Sequence, residues 1–241
     1  MLHRYQIDNV VFIIEGLKER PPRPMEELMR LSDPRGRFPE LKNVQPVDGD
    51  DYASLYQQVL VDLPVGVYFR KFLNEVTAGA SQDENVVVDA KYISDAMADY
   101  SFQQVQHRVK KIWLQEFYEF CRTQINETSA RIMCDLLKFE ADFQTIQIID
   151  NSRTFAGFVD ARGGSERKKY ISRLGHLYPE RYEALNQAQT FDALKEALRS
   201  TPYYDMMNRV SQENDNEVES NGQTIGKYSS FQYILFMKGV F

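Results

Sequence analysis

Apolar residues in this chain recur every three or four positions, and that spacing limits its fold more than any other feature. Over residues 5–18 the apolar positions Ile7, Val10, Val11, Ile14 and Leu17 fall on one helix face. A later stripe joins Val105, Val109, Ile112, Phe117 and Phe120, with Arg108, Lys110, Lys111 and Glu119 mostly off it. A long helix is predicted over 129–150, carrying Met133, Leu136, Leu137, Phe139, Phe143, Ile146 and Ile149. So broad an apolar band predicts burial on more than one side. The alternation that marks a half-buried strand is nearly absent, so the predicted class is all-α.

Shorter helices are predicted over 25–31, 50–60, 65–76 and 191–199. That over 50–60 places Tyr52, Leu55, Tyr56 and Val59 on one face, and Thr190 is the expected cap of the last. Pro179 reads as the first residue of a further helix, where its missing N–H costs nothing. Breakers divide these elements. Arg20-Pro21-Pro22-Arg23-Pro24 ends the first helix, and Asp33-Pro34-Arg35-Gly36 reads as a turn. The polar stretch 77–87 and Arg162-Gly163-Gly164-Ser165 read as loops.

A chain that is 43% hydrophobic and 12% aromatic has ample material for a core. Its longest clean apolar run, Val10 to Ile14, is far shorter than the roughly 20 residues of a membrane span. Against 35 acidic residues there are 29 lysines and arginines, a net charge of −6, which argues against phosphate-backbone binding to nucleic acid. Cys121 and Cys134 are too few for a disulfide framework and read as free thiols.

No motif for catalysis, cofactor binding or metal binding stands out. There is no phosphate loop, no dinucleotide fingerprint and no nucleophile elbow. His3, His107 and His176 show no paired ligand spacing. Asp8 and Asp142 lie beside apolar residues and admit two readings: an acid/base pair, or hydrogen-bonded groups tying helices together. The second is preferred. Arg108, Lys110 and Lys111 are candidates for contact with an acidic partner, against the plainer reading of a solvated face. From residues alone the chain reads as a helical binding module.

The chain also echoes itself. Tyr5-x-Ile7-Asp8 matches Phe139-x-Ala141-Asp142, the apolar pattern of Tyr52, Leu55 and Val59 matches Phe191, Leu194 and Leu198, and Pro64 matches Pro202, in the same order. Two helical lobes of one design are the expectation.

Five strings occur in order: Tyr5-Gln6-Ile7-Asp8-Asn9-Val10, Leu60-Val61-Asp62-Leu63-Pro64, Lys111-x-x-Leu114-x-x-Phe117-Tyr118-x-Phe120, Phe139-Glu140-Ala141-Asp142 and Leu177-Tyr178-Pro179. Together they resemble one family, the d subunits of eukaryotic V-type ATPases. The resemblance implies a funnel-shaped, all-helical, non-catalytic subunit without cofactor. It implies a place between the proteolipid ring and the central stalk, peripheral on the cytoplasmic face of vacuolar or other acidified membranes. It marks Tyr5, Ile7, Asp8, Asn9, Asp62, Pro64, Phe139, Glu140, Asp142, Tyr178 and Pro179 as structural motif residues. The corresponding division is 1–80 and 129–210 as helical lobes, 81–128 as a loop and connecting helix, and 211–241 as a divergent tail.

The sequence departs from the family pattern in three ways. The family's first lobe and its terminal tryptophan-containing motif have no counterpart, and Phe143 and Gln144 stand where two arginines are usual. These departures imply a fragment or a trimmed paralogue. The competing expectation is an adaptor of the same lobe design that binds a different partner.

Overall fold

The computed structural model describes residues 2–45, 54, 57–59, 63–77, 100–152 and 167–209. Among them every regular element is helical, and the protein is all-α. The helices include α1 (Leu2–Lys18), α2 (Met25–Leu31), α3 (Gly66–Thr77), α4 (Phe102–Gln124), α5 (Glu127–Ser152), α6 (Arg167–Tyr170), α7 (Tyr182–Gln187) and α8 (Phe191–Ala197), and residues 202–209 are also helical. Two 3₁₀ turns, Pro34–Gly36 and Pro39–Asn43, follow α2. The chain divides into two compact units, Met1–Thr145 with Lys169–His176, and Ile146–Lys168 with Leu177–Phe241.

The first unit is built on α1. Ile7, Val10, Val11, Ile13, Ile14 and Leu17 are all buried, and the helix packs on α2, on the Pro34–Gly36 turn and on α4. Each such side chain contributes about 1.5–3 kcal/mol when fully buried, so packing rather than capping holds this helix. Helix α3 lays Phe69, Phe72 and Leu73, all fully buried, against α4. Helix α4 starts with a capping box: Ser101 Oγ accepts from Gln104 N, and Gln104 Oε1 accepts from Ser101 N.

The predicted α4 stripe is partly redrawn. Val105, Val109 and Ile112 are buried as expected, and Trp113, Leu114 and Cys121 join them. Phe117 is half-buried, and Phe120 is 51% exposed. Phe120 does not reach the core because the buried face has drifted to Cys121 by that turn. Instead it stacks on Phe117, which stacks on Trp113, with centroids 6.4 and 6.0 Å apart. In α5 the broad apolar band has its expected consequence from Leu137 onward, where Leu137, residues from Glu140 to Phe143, and Thr145, Ile146, Ile148 and Ile149 are buried. Its first turns are open, with Ile132 55% exposed.

In the second unit, α7 packs on α8, and Leu185, Leu194, Leu198, Tyr203 and Met207 are buried. Thr190 caps α8 as predicted, its Oγ1 accepting from Ala193 N at 3.1 Å. The fully buried Arg167 donates from Nη1 to the carbonyls of Asn186 and Ala188, at 3.2 and 2.6 Å, and so fixes the end of α7. Pro179 is not at a helix start. The turn is closed by Arg181 N donating to Leu177 O and Tyr182 N to Pro179 O, and α7 begins only at Tyr182. Most of the predicted helix over 50–60, Asp62, the loop residues 78–87 and 162–165, and the tail 211–241 lie outside the described residues.

Two glycines mark close approaches of very different stiffness. A Cβ at Gly36 would lie 2.3 Å from the Tyr5 carbonyl oxygen, which is backbone of α1. A Cβ at Gly16 would lie 2.3 Å from Leu28 Cδ2, the tip of a side chain. Gly36→Ala should therefore lower stability by about 1–3 kcal/mol in urea unfolding, and Gly16→Ala by clearly less, because a leucine tip shifts more readily than a helix backbone.

Candidate functional site

Of the predicted motif residues, Asn9 and Asp142 each hold a loop against a helix. Asn9, buried on α1, grips the backbone of Asp33 at both groups. Its Nδ2 donates to Asp33 O at 2.9 Å, and its Oδ1 accepts from Asp33 N at 2.8 Å. Just beyond, Gly36 closes against the Tyr5 carbonyl. Arg35 folds back over Tyr5, its guanidinium carbon 3.8 Å from the ring centroid and its Nη1 donating to the Tyr5 hydroxyl at 2.8 Å. The Arg35 guanidinium holds the Asp33 carboxyl below the ordinary carboxylate range.

Asp142 does the corresponding work on α5. It is 2% exposed, and its Oδ2 accepts from His176 N at 2.9 Å. A Cβ at Gly175 would sit 1.9 Å from Asp142 Oδ1, so this loop too needs glycine where it meets the helix. A polar residue on a buried helix, a glycine at the closest approach and a captured loop amide thus occur twice in the first unit.

Asp8 sits elsewhere. It accepts from Gln106 Nε2 at 2.6 Å and pairs with Lys110 Nζ at 2.5 Å, linking α1 to α4. Arg4 pairs with the buried Glu140 at 2.8 Å, and Gln144 Nε2 donates to the same carboxylate at 2.9 Å. Phe139 is half-buried and Ile7 fully buried. Tyr178 is 38% exposed and meets Tyr182 edge-on, while Pro64 and Pro179 are exposed.

The three α4 cations are half-buried and engaged within the chain. Arg108 donates to Glu75 Oε2 at 3.2 Å and lies over the Phe72 ring, Lys110 holds Asp8, and Lys111 Nζ donates to the Lys169 carbonyl at 2.8 Å. Burial lowers the Lys111 ammonium from its usual range. These are positioning contacts rather than proton-transfer geometry: Asp8, Glu140 and Asp142 each face donors inside the fold. Among the described residues no group of three or more His, Cys, Asp or Glu is placed to hold a metal ion.

Several contributors carry no sequence signal of their own. Arg4, Gln106 and Arg35 are ordinary surface-type residues whose partners are distant in sequence. His107 is another: burial, with Lys110 adding to it, pushes its imidazole down to about 4.

The family profile described as ATP synthase (C/AC39) subunit matches residues 1–228. The chain belongs to that family. Among its curated relatives, the rice protein named probable V-type proton ATPase subunit d is 29% identical over 200 residues, 83% of this chain and 49% of the relative. Arabidopsis thaliana V-type proton ATPase subunit d1 is 30% identical over the same extents. Saccharomyces cerevisiae V-type proton ATPase subunit d is 30% identical over 200 residues, covering 83% of this chain and 50% of its own length. This member of the AC39 family thus spans about half the length of the relatives it matches.

Two measurements test the scaffold. Asp142→Ala should cost about 1–3 kcal/mol in chemical unfolding, because a buried acceptor is removed from a loop amide. Asp8→Ala should cost less, since that side chain is 28% exposed and its pair is screened. In the folded chain His107 titrates near 4, against about 6.5 when unfolded. Between those values the unfolded state binds the extra proton, so stability falls as pH drops through that window. His107→Gln should flatten the decline by up to about 3 kcal/mol, read from urea midpoints at a series of pH values.

Proposed function

We propose that this chain serves as a non-catalytic coupling subunit of a rotary V-type proton ATPase, joining the central stalk to the proteolipid ring and so linking ATP hydrolysis to proton transport. The observation that carries this reading is the family match over residues 1–228, together with curated relatives that all bear the name V-type proton ATPase subunit d. On this reading the chain works within a hetero-oligomeric complex and is held at the cytoplasmic face of vacuolar or other acidified membranes by its neighbours. No described helix is long and apolar enough to cross a membrane, which accords with peripheral attachment.

The geometry supports a part that bears load. A coupling element must resist deformation, and the first unit combines a packed helical core with loops fastened by Asn9 and Asp142. Asp8 with Lys110, and Arg4 with Glu140, add ties between elements distant in sequence. The motif residues Tyr5, Ile7, Asp8, Asn9, Phe139, Glu140 and Asp142 act as scaffold in this proposal rather than as contacts to the stalk or ring.

Expression of the tagged chain in cells with a working V-type ATPase tests it. The chain should sediment with membranes, leave them on alkaline or high-salt washing, and bring down proteolipid and stalk subunits. The purified chain should hydrolyse no ATP. A folded sample that binds neither ring nor stalk would favour the adaptor reading, and robust ATPase activity would overturn the proposal.

A further inference from the structure

We propose that the open cleft between α2 and the Pro39–Asn43 turn is a docking site for an acidic polypeptide segment that carries an apolar anchor. The cleft encloses about 600 Å³. Its floor is Met29 and Phe38, partly buried side chains packed on the core, with Pro39 beside them. Its rim carries Arg30, Arg37 and Lys42 against the single carboxylate of Glu26. In a chain of net charge −6, this is a local reversal of sign.

Arg37 is set before any ligand arrives. Its Nε donates to Ser32 Oγ at 3.1 Å, and its Nη2 donates to the carbonyls of Arg30 and Ser32, both at 2.9 Å. Ser32 is 4% exposed, and its hydroxyl donates in turn to Met29 O at 2.8 Å. The guanidinium is therefore oriented, and among the described residues nothing takes the Nη1 hydrogens, which remain for an incoming carboxylate. A fixed guanidinium loses little rotamer freedom on binding. Among the described residues, the Arg30 guanidinium and the Lys42 ammonium have no ion-pair partner.

The chemistry selects a polypeptide over a small anion. Inorganic phosphate would meet the cations and leave Met29 and Phe38 uncovered. A segment that alternates carboxylates with one leucine- or phenylalanine-sized residue satisfies rim and floor together.

The test uses the full chain and fluorescence anisotropy with a labelled peptide of alternating Glu and Leu. Binding should saturate, weaken with added salt, and be absent for the matching Lys and Leu peptide. The double variant Arg30→Glu, Lys42→Glu should bind about tenfold more weakly, from two lost ionic contacts. Its melting curve should match the parent, because neither side chain has an ion-pair partner among the described residues. Equal affinity for acidic and basic peptides, or unchanged affinity in a folded double variant, would overturn the proposal. Competition by inorganic phosphate as strong as by the unlabelled peptide would overturn it in favour of a simple anion site. Binding to phosphatidylserine vesicles without peptide binding would overturn it in favour of a lipid surface.

Discussion

Much of the first unit is organised around giving the polar side chains of the buried helix α1 partners within the fold, although among the described residues Gln6 Oε1 is buried without one. Helix α1 buries eight residues, including Asn9 and Gly16, so the polar side chains along it have few routes to water. Asn9 turns inward to Asp33, Asp8 sideways to Gln106 and Lys110, and Arg4 toward Glu140. Each solution ties α1 to another element. Removing α1 would leave those loops and helix faces without their hydrogen-bond partners as well as without an apolar core.

The electrostatics follow from the same constraint. The half-buried cations of α4 are matched one by one, Arg108 with Glu75, Lys110 with Asp8 and Lys111 with a carbonyl. The buried carboxylates of α5 are matched by Arg4 and by a backbone N–H. Local pairing of this kind produces specificity of packing more than net stability, because desolvation offsets much of the attraction. Among the described residues, Arg30 and Lys42 on the cleft beside α2 have no ion-pair partner.

The helices were legible because their signal is local. Three-and-four spacing placed α1, α4 and α5, and proline placed the end of α1 and the bounds of the Pro34–Gly36 turn. The Thr190 cap was readable for the same reason. Tertiary choices were less so. Periodicity could not say that the α4 stripe drifts from Phe117 toward Cys121, since an aromatic residue at the right spacing is also content to stack on its neighbours in solvent. Pro179 suits a helix start and a tight turn alike, and the hydrogen bonds closing the turn decide between them. Of the scaffold, the motif strings marked Asp8, Asn9 and Asp142 but not their partners, which lie 98, 24 and 34 residues away. No spacing rule within one helix reaches that far.

The capture of loop backbone by Asn9 and Asp142 sets how those loops come loose. A loop pinned by its own ladder of backbone bonds is freed only by unwinding structure. Here the amides of Asp33 and His176 are held by side-chain oxygens. One change of χ1 or χ2 at the helix residue releases each amide while α1 or α5 stays wound. Their exchange with solvent is then governed by a latch inside a packed core, rare to open because its neighbours must yield. Reclosing needs no refolding.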